Sequence, residues 1–111
     1  MYRLDWETPV EGGRLKAPHA LDIAFVFDNV ARSTSYTGVG PEQQRMADLM
    51  SEAWIAFART GNPNTKDLPA WPRYDARSRA TMIFDVPPHV VDDPDREREL
   101  LLRLLPEGRG L

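Results

Sequence analysis

The segment between Pro41 and Gly61 constrains the fold of this chain more than any other. Its apolar residues recur every three or four positions, which is the spacing of one face of an α-helix. Pro41 suits the first helical position, Gly61 suits the position after the last, and Asn62-Pro63-Asn64 prevents continuation. We predict an amphipathic helix over residues 42–60 whose apolar face is core or a subunit contact rather than a ligand site. The apolar positions are Met46, Leu49, Met50, Ala53, Trp54, Phe57 and Ala58.

Two other segments have the pattern of β-strands. Residues 2–6 alternate apolar and polar side chains, and residues 80–85 form an apolar run that ends before two consecutive prolines. A last helix is predicted over residues 95–105, with acidic residues at its start and with Pro106 and two glycines after it. Residues 19–27 are dense in apolar side chains and predict one or two mostly buried helical turns.

The connections between these elements are predicted to be loops. Residues 7–18 and 28–40 contain glycine, proline or small polar residues and have no apolar period. The two strands lie far apart in the sequence, so their pairing cannot be assumed, and their apolar side chains need neighbours. The fold class is therefore α/β, and the chain, taken as one segment over residues 1–111, resembles one end of a larger α/β protein that is incomplete alone.

Composition excludes several classes of function. The 111 residues carry a formal net charge of −3, which argues against nucleic acid or an anionic membrane as a partner. There is no cysteine and there are only two histidines, so no metal and no cofactor is expected. No apolar run approaches the length of a membrane span, and the first residues lack the apolar core of a signal peptide. These features favour the cytoplasm for the chain as written and leave the compartment of a full enzyme open.

An ordered series of motifs resembles the C-terminal region of type-B carboxylesterases, the cholinesterase-like and para-nitrobenzyl-esterase-like branch of the α/β-hydrolases. The resemblance extends from Tyr2 to Leu105. Its motifs are Trp6-Glu7-Thr8-Pro9, the Gly12-Gly13 loop, the run Ala17 to Phe27 that includes Pro18-His19-Ala20-Leu21-Asp22, the run Trp54 to Pro63, Trp71-Pro72-Arg73-Tyr74, and Thr81 to Asp85. The resemblance implies an α/β-hydrolase fold and serine-dependent hydrolysis of carboxylic esters.

The same resemblance implies that His19 is the catalytic histidine. In the α/β-hydrolases the order of the triad is serine, acid, histidine, and the histidine lies on a loop after the last core strands. His19 follows a predicted strand and a loop, which fits that position. Pro18 restricts the main chain before it. We expect a buried turn of Leu21, Ile23 and Phe25 to anchor the main chain after it.

The sequence departs from the family pattern in ways that bear on activity. No Gly-x-Ser-x-Gly elbow and no upstream glycine-rich loop occurs, so neither the nucleophile nor the oxyanion hole is present. Only Asp5, Glu7 and Glu11 precede His19, and they are too close to it in sequence to be the triad acid. Ala20 and Asp28 occupy positions where the family commonly has glycine. The chain supplies one triad member, and we expect it to be inactive alone.

The remaining candidate residues have ordinary structural interpretations. His89 is expected to be an exposed loop histidine. His19 with Asp22 has the spacing of two metal ligands, but two ligands without cysteine do not make a site. The charged run over residues 92–99 is expected to be a solvated helix start. The aromatic residues expected in the core are Trp6, Trp71 and Tyr74.

Three functional hypotheses follow. The first is an enzyme segment whose ester substrate binds only in the complete enzyme. The second is a non-catalytic module that docks on another chain, such as a separately encoded N-terminal portion, or that associates with itself. The third is an autonomous small α+β binding domain that merely resembles the esterases, and it requires the two predicted strands to pair.

Overall fold

A computed structural model describes residues 1–105, which form one three-stranded sheet and four α-helices. The strands are β1 (Tyr2–Leu4), β2 (Ala80–Phe84) and β3 (His89–Asp92). The helices are α1 (Leu21–Val26), α2 (Thr34–Thr37), α3 (Pro41–Thr60) and α4 (Arg96–Arg103). The predicted helix stop at Pro106 and the following glycines lies outside the described residues. Within residues 1–105, no helix has both the length and the apolar character needed to span a membrane.

The central strand of the sheet is β2, and all five of its residues are buried. Strand β1 lies parallel to it, with Tyr2 opposite Met82, and β3 lies antiparallel to it, with His89 opposite Ile83. A parallel pair requires a long crossover connection. The residues between β1 and β2 provide that crossover and carry α1, α2 and α3. The two predicted strands therefore pair directly with each other.

The expectation of only two strands was wrong. Pro87 and Pro88 end β2 as predicted, but the chain turns back and forms β3 directly after them. Four residues are too few for a convincing alternating pattern, so β3 is visible only through its pairing. Strand β1 also ends at Leu4, two residues earlier than predicted. The Phe84 carbonyl accepts the N–H groups of both Asp5 and Trp6, at 3.0 and 3.1 Å, and this shared bond ends the regular ladder.

Helix α3 has the predicted bounds and the predicted end. Gly61 has a φ of 75°, a left-handed conformation that costs glycine little, and its N–H donates to the Phe57 carbonyl at 2.7 Å. The buried face of the helix is Gln43, Met46, Ala47, Leu49, Met50 and Ala53. The apolar stripe leaves the core in the last turns, where Trp54 is only half-buried and the Phe57 side chain is 58% exposed.

The core joins side chains from β2, α1 and α3 into one cluster. Phe84 on β2 meets the Trp71 ring edge-to-face at 5.8 Å between ring centres, and Trp6 meets Phe25 of α1 at 5.4 Å. Helix α1 forms where predicted, but its buried residues are Leu21, Ala24 and Phe25, while Ile23 is exposed. The expectation that Ile23 anchors this turn was wrong, because helical spacing turns that residue away from α3. Tyr74 is also exposed and is not a core aromatic.

Asn64 connects the end of α3 to the segment that carries Trp71. Its side-chain oxygen accepts the Trp71 N–H at 2.7 Å, and its side-chain nitrogen donates to the Trp71 carbonyl at 3.0 Å. Both hydrogen bonds fix the main chain of Trp71 and leave its ring to pack on Phe84. The helix end before Asn64 and the Trp71 segment, which are separate motifs in the sequence, therefore form one structural unit.

Ion pairs connect α4 to the sheet. Arg3 of β1 pairs with Asp95 at 3.1 Å, and Arg79 pairs with Asp93 at 3.6 Å and also with Glu99. The hydrogen bond from Arg79 is the main cause that holds the pKa of Glu99 below its usual value. The run over residues 92–99 is thus a partly paired cluster rather than a wholly solvated helix start. The leucine side chains of α4 and of the residues after it are exposed: Leu100, Leu101, Leu102, Leu104 and Leu105.

Two departures from the family pattern fall on left-handed main-chain conformations. Ala20 has a φ of 68° and Asp28 has a φ of 50°. An L side chain in this region costs roughly 1–2 kcal/mol, which glycine avoids. The glycine expected at each of these positions therefore has a conformational reason, and this chain tolerates its absence at some cost in stability.

Truncation of the buried face of α3 should destabilise the chain. Met50 is fully buried in the core, so we expect Met50→Ala to lower the free energy of unfolding by about 2–5 kcal/mol. Ile55→Ala is the matched control, because Ile55 lies on the same helix with its side chain 51% exposed, and its effect should stay below about 1 kcal/mol. Denaturant unfolding of both variants measures the difference. Similar losses would contradict the assigned buried face.

Relief of the left-handed conformation at Ala20 should stabilise the chain. We expect Ala20→Gly to raise the free energy of unfolding by about 0.5–1 kcal/mol. Ala58→Gly is the control of opposite sign, since Ala58 is exposed within α3 and glycine there should cost about 0.5–1 kcal/mol. Thermal and denaturant melts would show the two shifts. A loss of stability with Ala20→Gly would show that the φ at residue 20 imposes no strain.

Candidate functional site

His19 lies on a tight turn between the β1 loop and α1. The Leu21 N–H donates to the Pro18 carbonyl at 3.2 Å and closes the turn, and Ala20 adopts its left-handed conformation within it. The Tyr36 hydroxyl donates a hydrogen bond to the His19 carbonyl. The His19 side chain is exposed, and among residues 1–105 no hydrogen bond involves its imidazole. The main chain of His19 is therefore held while its ring is free to meet other groups.

The segment that supplies Tyr36 is ordered rather than a polar loop. The loop expected over residues 28–40 contains a turn of 3-10 helix (Val30–Arg32) and helix α2. Val30 is buried in the core, which the many polar neighbours in the sequence concealed. A side chain at Gly38 would place its Cβ 2.8 Å from the Pro9 ring, so this segment packs tightly on the loop after β1.

A hydrogen bond joins β1 to α1 beside the histidine turn. The Tyr2 hydroxyl donates to the Asp22 carboxylate at 2.7 Å. Burial, together with this hydrogen bond, raises the pKa of Tyr2 to about 12. Asp22 therefore has a structural partner in Tyr2. Among residues 1–105, no group of three or more histidine, cysteine or acidic side chains is arranged to hold a metal.

The three acids that precede His19 are each paired with a basic side chain. Asp5 pairs with Arg3 at 2.6 Å. Glu7 pairs with Lys16 at 3.2 Å, and Glu11 pairs with Arg14. None of these carboxylates contacts the His19 ring, so the described residues bring no triad acid to the histidine.

The other histidine of the chain lies on the sheet rather than on the histidine turn. His89 opens β3 and is exposed, and its Nδ1 lies 3.2 Å from the Pro87 carbonyl oxygen. The expectation that His89 is exposed was correct, but it belongs to a strand and not to a loop.

An open groove flanks β1 on the side of the last turns of α3. It encloses about 790 Å³, and an edge-to-face contact between Tyr2 and Trp54, with ring centres 4.7 Å apart, forms part of its wall. Its lining residues are Met1, Tyr2, Ala53, Trp54, Phe57, Gly61, Asn62, Pro63, Asn64, Trp71, Pro72, Arg73 and Tyr74. Sequence reasoning missed this groove because its walls come from three distant segments. Its only sequence signal is the continuation of the α3 apolar stripe beyond Ala53.

The sequence of the chain matches a known protein family. The family model described as the Carboxylesterase family matches residues 1–101. The chain is 36% identical over 100 residues to the para-nitrobenzyl esterase of Bacillus subtilis strain 168, and the aligned region covers 88% of this chain and 20% of that protein. It is 33% identical over 109 residues to the phenmedipham hydrolase of Pseudarthrobacter oxydans, and here the aligned region covers 94% of this chain and 22% of that protein.

Solved structures give the same result for the fold. An esterase from Clostridium hathewayi superposes with a TM-score of 0.82 at 31% identity, over 94% of this chain and 21% of that one. The chain thus has the α/β-hydrolase architecture of the esterases and spans about a fifth of the length of the relatives it matches. A family-model match over residues 1–101, supported by these relatives, shows that the chain belongs to the carboxylesterase family.

Proposed function

We propose that this chain is the C-terminal segment of a serine carboxylesterase and that His19 is the general base of that enzyme. The observation that carries the proposal is the exposed imidazole of His19, which makes no hydrogen bond among residues 1–105 and lies on a turn whose main chain is held by Tyr36 and by the Pro18–Leu21 hydrogen bond. A triad histidine needs a fixed position and two free ring nitrogens. The resemblance of Pro18-His19-Ala20 to the motif of the catalytic histidine in the family also supports the proposal.

The proposed chemistry follows from the roles of a triad histidine. The imidazole of His19 takes the proton of a serine hydroxyl while the serine oxygen attacks the ester carbonyl carbon. It returns that proton to the alcohol oxygen as the acyl C–O bond breaks. Water then attacks the acyl-enzyme with the same transfer of a proton through His19, and the carboxylic acid leaves. The serine, the acid and the oxyanion hole come from parts of the enzyme outside this sequence.

The chain alone should not hydrolyse esters at an enzymatic rate. Loss of the nucleophile from a catalytic triad costs on the order of 10⁶ in kcat, and loss of the oxyanion hole costs about a hundredfold or more. A lone exposed imidazole retains only the reactivity of free imidazole.

A second candidate function is docking on another chain that completes the sheet. In the parallel β1–β2 pair, the carbonyl of Met1 and the N–H of Asp5 face β2. Main-chain groups alternate in direction along a strand, so those of Tyr2 and Leu4 point to the opposite edge. Within residues 1–105, no strand pairs with that outer edge of β1. An unpaired edge beside a groove lined by aromatic side chains suits the addition of a strand and a packed helix from a partner.

The role of His19 can be tested in an enzyme reconstituted from two chains. The partner chain is the part of Bacillus subtilis para-nitrobenzyl esterase that lies outside the segment matched here, co-expressed with this chain. We expect hydrolysis of para-nitrophenyl acetate, and we expect His19→Ala to lower kcat by about 10⁴-fold or more. Spectrophotometric rates on the purified complex give the comparison.

His89→Ala is the matched control, because it removes the other histidine of the chain, which is also exposed. Its complex should retain kcat within about twofold of the unsubstituted complex, as expected for a surface substitution. Equal activity of the His19→Ala and unsubstituted complexes would show that His19 is structural. Assembly without any activity would favour the docking function alone.

The free edge of β1 can be tested with proline. Leu4→Pro removes an N–H group that points away from β2. We expect association with the partner chain to weaken about tenfold, because the two chains lose about one hydrogen bond and pack less closely at the proline ring.

Leu4→Ala is the matched control, because it also removes a side chain that packs against the core but keeps the N–H. Both variants should lower the melting temperature of the chain alone, and only Leu4→Pro should also weaken association. Arg3→Pro is a second control, since its N–H faces β2 and its loss should lower the melting temperature without removing an outward N–H. Unchanged association with Leu4→Pro would place the partner on another surface.

A further inference from the structure

We propose that Tyr36 is a positioning residue that holds the turn of His19 through the His19 carbonyl. This inference rests on the proposed role of His19 as the general base. The Tyr36 hydroxyl donates a hydrogen bond to that carbonyl across seventeen positions of the sequence. The bond therefore ties the histidine turn to a separate segment of the fold.

Tyr36 is itself fixed from the core outwards. Its side chain is half-buried and packs against the core cluster. Its own carbonyl accepts a hydrogen bond from the Thr8 hydroxyl at 2.7 Å, and Thr8 is fully buried. A continuous series of contacts thus runs from the buried Thr8 through Tyr36 to the exposed turn of His19.

The turn needs this support because its own bonds are few. Two main-chain hydrogen bonds hold it, from the Leu21 N–H to the Pro18 carbonyl and from the Ile23 N–H to the Ala20 carbonyl, both at 3.2 Å, and Ala20 is held in an unfavourable conformation. Without the Tyr36 bond, Ala20 could relax and carry His19 with it. A displacement of about 1 Å in a catalytic group can cost about a hundredfold in rate.

The point of attachment suits the proposed catalysis. A hydroxyl bound to the carbonyl restrains the main chain and leaves both ring nitrogens of His19 available, one for the serine and one for the triad acid. Tyr36 therefore acts through His19 and touches no reacting atom. The sequence gives no sign of this role, because Tyr36 lies in a segment with the composition of a loop.

The test uses the chain itself and measures His19 by NMR. With Tyr36→Phe, which removes only the hydroxyl, we expect hydrogen exchange of the Leu21 amide to accelerate about tenfold. We also expect a lower order parameter for the His19 ring. The His89 ring is an internal reference and should not change. Tyr74→Phe is the matched control, because the Tyr74 side chain is exposed and its hydroxyl makes no hydrogen bond among residues 1–105.

Global destabilisation is separated from a local effect by the amides of β2. Exchange at Met82 and Phe84 should stay within about twofold in Tyr36→Phe, since those amides report on the buried sheet. Should Tyr36→Phe fail to fold, Thr8→Val provides a second variant, because it removes the bond to the Tyr36 carbonyl and should also mobilise the His19 ring. Unchanged order at His19 and unchanged exchange at Leu21 would overturn the positioning role.

The reconstituted enzyme separates this inference from the proposed function. There we expect Tyr36→Phe to lower kcat about tenfold with KM unchanged, because a less ordered His19 weakens proton transfer in the transition state and leaves substrate binding unaltered. If His19→Ala retains full activity, the proposed function fails, while the NMR measurement still decides whether Tyr36 holds the turn. If His19→Ala is inactive and Tyr36→Phe keeps full kcat and an ordered His19 ring, only the positioning role fails.

Discussion

Burial of Phe84 on the central strand is the interaction on which the rest of this structure depends. Its ring meets Trp71 and Trp54, and its carbonyl accepts the two N–H groups that end β1. One residue therefore joins the sheet, the last turns of α3 and the segment after that helix. Dispersion contacts and the loss of apolar surface to water make such a junction strongly favourable, because aromatic rings bury more area than other side chains.

The candidate site depends on this core only indirectly. Strand β1 ends at the shared Phe84 carbonyl, and the chain then enters the loop that leads to His19. Buried Leu21 and Phe25 fix α1 on the far side of the turn, and the Tyr2–Asp22 hydrogen bond ties α1 back to β1. The histidine is thus exposed but supported on both sides. This combination suits a group that must meet partners from elsewhere without losing its position.

The α/β layering also explains the surfaces that remain open. Strand β1 is paired on one edge only among the described residues, and the apolar stripe of α3 continues past Ala53 into the groove.

The third hypothesis, an autonomous small α+β domain, required the two predicted strands to pair, and they do pair. Membership of the carboxylesterase family rules out its other premise, a mere resemblance to the esterases. The parallel β1–β2 pair with a helical crossover is itself typical of α/β proteins rather than of small antiparallel domains.

The sequence alone determined the features that depend on neighbours within a few residues. Helix α3, its Gly61 end, α1 and the buried strand β2 were all predicted correctly, because spacing, proline and glycine act locally. The catalytic interpretation of His19 came from the resemblance to a family and stays a proposal. Only the tertiary structure decided the parallel pairing of β1 with β2, the existence of β3, the exposure of Ile23 and Tyr74, and the bond from Tyr36 to the His19 carbonyl. Each of these joins or separates segments that are distant in the chain, and no local pattern records which distant surfaces will meet.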